Sequence, residues 1–231
     1  MGQLIALAPI VVPVLFWAAY HYHKDRHLPE PVALLALTFV LGMLAAGLSA
    51  LFYEGLGLLG LREDAGYLAD TSAVALFAYA VFAIGPIEEI AKLVPFVIVV
   101  LRFPHFDEPM DGIIYASFIG LGYAAVENWQ YLEYLTTTEA IARGFASPVI
   151  HILFASIWGH WIARAHLAGR KVIRTTLLSV AAASFLHGIY DVIVLLNPRF
   201  ALPIAALMII VIWFWRLFVL RSLHKQATQD R

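Results

Sequence analysis

Apolar residues run through the 231-residue sequence in long blocks, and polar residues gather in short breaks between them. The blocks are Leu4–Tyr20, Val32–Tyr53, Thr71–Leu101, Asp111–Leu135, Pro148–His166, Arg174–Leu196 and Ala201–Leu220. A helix rises 1.5 Å per residue, so blocks of about twenty residues match the hydrocarbon thickness of a bilayer. The pattern predicts an all-α fold, a polytopic membrane helical bundle of about seven transmembrane helices. An eighth span arises if Leu56–Leu61 re-enters the membrane. The first block lacks a basic leader and a small-x-small cleavage site, so it reads as a retained span. No internal repeat divides the chain, and residues 1–231 read as one integral membrane domain.

The breaks carry orientation. With alternating sides, Lys24, Arg26, Arg102, Arg164, Arg170, Lys171, Arg174, Arg216, Arg221, Lys225 and Arg231 fall on one side, and Arg62, Arg143 and Arg199 on the other. Cytoplasmic loops carry the excess of Lys and Arg, which predicts the N-terminus outside and the C-terminus in the cytoplasm. Lys92 belongs to neither side, because it lies inside the third block.

That block reads Gly85-Pro86-Ile87-Glu88-Glu89-Ile90-Ala91-Lys92 at its centre. Charges within a span are costly and are retained for a use. Glu88 and Lys92 are four apart and share a helix face, which predicts that they pair. Pro86 lacks a backbone donor and predicts a kink just ahead of them. Further polar groups lie in other blocks: Glu127 and Asn128 in the fourth, His151 and His160 in the fifth, His187 and Asp191 in the sixth. From the cytoplasmic start of their spans, His187 lies about 20 Å deep, Asp191 about 25 Å and Glu127 about 24 Å. His151 falls within about a turn of the outer end of its span. These groups and the glutamate pair fit one buried layer. His160 is about 180° round the helix from His151 and is expected to face away.

Composition narrows the chemistry. The chain is 62% hydrophobic and 13% charged, far from soluble proportions. Its net charge of -1 gives no footprint for nucleic acid. It has no cysteine, which removes thiolate nucleophiles, disulfides and cysteine zinc sites together. H-E-x-x-H, G-x-S-x-G and P-loop patterns are missing. A buried acid–base cluster remains, which suits hydrolysis or proton movement.

Four motifs in order bear a resemblance. They are Glu88-Glu89-x-x-Lys92; Tyr123-x-x-x-Glu127-Asn128 after Asp111-Gly112; Arg143 with Pro148-x-x-His151; and His187-Gly188-x-x-Asp191, all preceded by Asp25-Arg26-x-x-Pro29-Glu30-Pro31. Together they resemble the PrsW family of intramembrane peptidases, within the wider group that includes the CAAX prenyl endopeptidases. Tyr123 stands where Phe is expected, and the CAAX relatives carry His at the position of Glu127.

The resemblance implies hydrolysis of a peptide bond in a membrane-anchored protein, such as an anti-sigma factor cut at site 1. It implies a prokaryotic plasma membrane, with the site towards the extracytoplasmic side. In this reading Glu88, or else Glu89, is the general base, and Lys92 keeps it ionised. Glu127 holds the water or relays its proton. His187 donates to the oxyanion, and Asp191 fixes its tautomer. Asn128 and His151 support the site. The scheme requires no cofactor. The competing reading places zinc on Glu127, His151 and His187, with Asp191 or a Glu of the pair as a further ligand, and a proton- or ion-coupled transporter is the reading outside proteolysis.

Overall fold

The computed structural model describes residues 2–24 and 29–197 and scattered positions between 203 and 218. Asp25 and Arg26 of the first motif, Arg199, the basic tail and most of the expected seventh span lie outside the described residues. Every regular element among the described residues is helical. In chain order these are α1 (Gly2–Lys24), α2 (Val32–Leu58), α3 (Ala65–Thr71), α4 (Ala73–Tyr79), α5 (Gly85–Ile98), α6 (Pro109–Tyr131), α7 (Thr137–Leu167) and α8 (Val172–Leu196). Helices α2, α6 with its terminal turn, α7 and α8 are long and apolar enough to cross a membrane.

The third apolar block departs from the single span expected of Thr71–Leu101. Ser72 is extended, with its hydroxyl accepting from the Ala75 N–H, so it closes α3 and caps α4. Tyr79 then runs into a π-helical turn, Ala80–Ile84, before α5. The N–H of Gly85 reaches back five residues to the Ala80 carbonyl, and Pro86 supplies no N–H of its own. The kink expected at Pro86 therefore takes the form of a π turn. It sets the rotation of α5, and with it the directions of Glu88 and Glu89.

Two other boundaries move. Leu56–Leu58 forms the last turn of α2, and the chain then turns through Gly60 at φ +68°, so this stretch makes no separate helix. Helix α7 begins at Thr137, well ahead of Pro148. A reciprocal Thr136–Glu139 capping box starts it. His151 thus sits roughly 20 Å into the helix and not near its end.

Helix α6 lies at the centre. It is buried on nearly every side from Met110 to Ala124, against α2, α7, α1 and α5. The shared core gathers Phe96, Phe106, Tyr115, Phe154 and Trp158, with the Phe96 and Trp158 rings 5.0 Å apart. Glycine sets how closely the functional helices approach. A Cβ on Gly188 of α8 would lie 2.5 Å from the Ala80 carbonyl oxygen in the π turn, and one on Gly85 would lie 2.2 Å from the Ser184 oxygen. These two absent side chains let α8 press on the start of α5.

Candidate active site

The close contact of α8 with α5 puts His187 over the glutamate pair, and α7 completes the group with His151. The i, i+4 spacing predicts a Glu88–Lys92 pair, but the pair that forms is Glu89–Lys92, with Nζ 2.5 Å from Oε1. Both side chains are fully buried. Glu89 also accepts from the Trp158 indole N–H at 2.9 Å and lies 2.8 Å from His187 Nδ1. Its two oxygens therefore meet three partners from α5, α7 and α8. Such saturation suits a buried carboxylate with a holding role.

Glu88 has the opposite surroundings. It is 7% exposed, and its Oε2 is buried without a hydrogen-bond partner. That oxygen faces His187 Nε2 at 3.6 Å and His151 Nδ1 at 4.0 Å, both beyond direct hydrogen-bond reach.

His151 is held at both nitrogens. Its Nε2 lies 2.8 Å from Glu127 Oε2, and its Nδ1 lies 3.1 Å from Lys92 Nζ. Glu127 is held in turn by Arg143 at 3.0 Å and by the Ser147 hydroxyl at 3.3 Å. The Arg143 guanidinium also stacks over the Tyr131 ring, 3.9 Å from its centroid. Asn128 and Tyr123 do not satisfy Glu127. The Asn128 amide is buried and unpaired at both ends, and the Tyr123 hydroxyl donates to Ser49.

Asp191 approaches His187 only at Nε2, at 3.9 Å. The nitrogen that fixes the His187 ring is Nδ1, and its partner is Glu89. Glu89, and not Asp191, is the carboxylate within hydrogen-bond distance of a His187 nitrogen. Asp191 is left with Oδ2 buried and unpartnered beside the cavity. His160 is buried, has no partner at Nδ1, and does not line the cavity, as its position round the helix predicts.

Glu88, Glu127, His151, His187 and Asp191 all line one cavity of about 760 Å³. Its walls include Ser49 and Tyr53 of α2, Tyr79, Tyr131 and Tyr190, and it reaches the surface at Glu54 and Arg62. The structure therefore brings together the sequence-expected residues except Asn128, with Glu89 and Lys92 set behind them. It adds Trp158 and Arg143 as direct partners. Trp158 stands seven residues from His151 and shares its face, a signal that reads equally well as core packing. Arg143 belongs to a recognisable motif, but its contact with Glu127 depends on the α6–α7 turn.

A family model described as PrsW family intramembrane metalloprotease matches residues 30–219. The chain belongs to the PrsW family. It is 29% identical to Protease PrsW of Clostridioides difficile strain 630, over 91% of this chain and 86% of that one. It is 30% identical to Protease PrsW of Geobacillus kaustophilus strain HTA426, over 88% and 85% of the two chains. Protease PrsW of Bacillus subtilis strain 168 is 27% identical, over 88% and 89%. No solved structure matches the chain. This PrsW family member is an integral membrane protein and a peptidase.

The family description raises the question of metal. Glu88, His151 and His187 offer ligand atoms within 4.8 Å of one another, and their types suit zinc. Of the expected donors this group keeps His151, His187 and a Glu of the pair, and it leaves out Glu127 and Asp191. Their arrangement does not fit an ion, because the His151 nitrogen that faces Glu88 is engaged by the Lys92 ammonium and the other by Glu127.

Proposed function

We propose that the chain hydrolyses a peptide bond of a membrane-anchored protein with Glu88 as the general base. The observation that carries this reading is the buried, unpartnered Glu88 Oε2, which faces two imidazoles at 3.6 and 4.0 Å on the wall of a cavity. A water between Glu88 and the scissile carbonyl would lose its proton to the carboxylate as its oxygen attacks carbon. His187, held at Nδ1 by Glu89, would offer an Nε2–H to the developing oxyanion when its ring is doubly protonated. Glu88 would then pass the proton to the departing amide nitrogen, and the C–N bond would break. His151 would sit on the other side of Glu88, held by Glu127 and Arg143. Lys92 would balance Glu89, which leaves Glu88 as the only member of the glutamate pair open to the cavity.

The cavity sits at the end of the bundle that carries Arg62 and Arg143. Arg102, Arg164, Arg170, Lys171 and Arg174 lie at the other end. The positive-inside rule then turns the site towards the extracytoplasmic face of a prokaryotic plasma membrane. An anti-sigma factor with one membrane span is a suitable substrate class for that placement. One integral membrane domain of about seven spans, with the N-terminus outside, accommodates it.

The test is cleavage of a single-span anti-sigma factor by the purified chain in liposomes, with Glu88→Gln beside wild type and with and without a strong chelator. Wild type is expected to cut in both conditions, and Glu88→Gln is expected to be slower by about 10²–10⁴-fold. Equal cleavage by Glu88→Gln would sink the assignment of the base.

A further inference from the structure

Lys92 has a second consequence beside its pairing with Glu89. Its ammonium lies 2.5 Å from Glu89 Oε1, 3.1 Å from His151 Nδ1 and 4.8 Å from the centroid of the Tyr123 ring. It is fully buried and has no solvent to retreat into. It therefore stands as a fixed cation on the nitrogen of His151 that faces Glu88. A divalent ion on Glu88, His151 and His187 needs that nitrogen's lone pair. It would also sit a few ångströms from a positive charge in a medium of low dielectric, where like charges repel strongly. Displacing Lys92 offers no escape, because Glu89 would then keep a buried, partly uncompensated charge.

We infer that Lys92 is the residue that excludes divalent metal from the Glu88–His151–His187 triad. The lysine–imidazole contact and a metal–imidazole bond are alternatives at one nitrogen. The donor set is that of an open three-ligand zinc site, and a single built-in cation occupies it. Removing the charge while keeping the donors turns the site into a metal-binding one. The inference deepens the glutamate reading of the same site, and its readout is metal content and not proteolysis.

The experiment uses the full-length chain without a polyhistidine tag, purified in detergent and titrated with Co²⁺. Visible absorption reports the coordination, and Zn²⁺ is counted by elemental analysis after dialysis. Wild type and Lys92→Arg are expected to show no one-to-one complex. Lys92→Met is expected to bind about one ion per chain, at least on the order of a hundredfold more tightly than wild type. The gain should vanish in Lys92→Met combined with His151→Ala. Lys92→Gln, which keeps a donor for Glu89, is the second variant if Lys92→Met fails to fold.

Equal binding by wild type and Lys92→Met overturns the inference. So does a folded Lys92→Met or Lys92→Gln that gains no metal. If neither variant folds, wild type decides. A one-to-one Co²⁺ complex tighter than about 1 µM that His151→Ala removes overturns the inference, and the lack of one supports it. A wild type that takes up no metal and also fails to cleave would count against the proposed hydrolysis and leave the exclusion standing.

Discussion

Glu88 and Glu89 are adjacent and chemically alike, yet their surroundings divide them. One is saturated by Lys92, Trp158 and His187, and the other keeps an unpartnered oxygen towards the cavity. The two are expected to fail differently. Glu89→Gln leaves Lys92 buried without its counter-charge and should cost about 3–5 kcal/mol of stability, read as a lower unfolding temperature in detergent. Glu88→Gln should unfold near the wild-type temperature while losing activity. Arg143→Met should act at a distance through Glu127 and His151. Its kcat is expected to fall about tenfold with KM little changed, the mark of an interaction that matters in the transition state. The sequence made the membership of this cluster legible, because charge inside apolar blocks is conspicuous. It did not make the pairing legible. Lys92 can reach i−3 as well as i−4, and which glutamate it meets depends on how α5 is rotated against α7 and α8.

At the level of elements, the long apolar blocks located the long helices and missed where they start and break. Thr136–Ser147 reads as a loop, yet the Thr136 and Glu139 cap makes residues 137–147 the first turns of α7. Thr71–Leu101 reads as one span, yet Ser72 and the π turn before Pro86 divide it. Both signals rest on one or two residues, which a reading by long apolar blocks passes over. The π turn packs closely on α8. Gly188→Val would drive its side chain into the Ala80 carbonyl, which lies 2.5 Å from where even a Cβ would stand. The expected outcome is a displaced His187 and activity lowered by more than about tenfold, while long-helix content by circular dichroism stays near wild type. A matching loss of helix would point to global unfolding instead.

For the whole molecule, the four long apolar helices and the family relationship agree on a membrane bundle, and the direction in which it sits rests on charge. The chain has no cysteine, so single-cysteine variants report topology without background. Glu63→Cys, on the cavity side, should react with an impermeant maleimide in intact cells. Arg170→Cys, on the opposite side, should react only after the membrane is opened. The reverse pattern would turn the site to the cytoplasm.

The burial of α6 bears on how the protein is made. Of the four long helices it is the most enclosed and the least apolar, and its small residues face backbone where a free span would face lipid. Such a segment gains less than its neighbours from partitioning into lipid by itself. Its favourable surroundings are α2, made before it, and α7, made after it. Biogenesis of this chain is thus a matter of assembly as much as insertion. The helix that carries Glu127 settles only when its neighbours are there to receive it, so the polar layer around the cavity closes late and nascent fragments do not carry it whole.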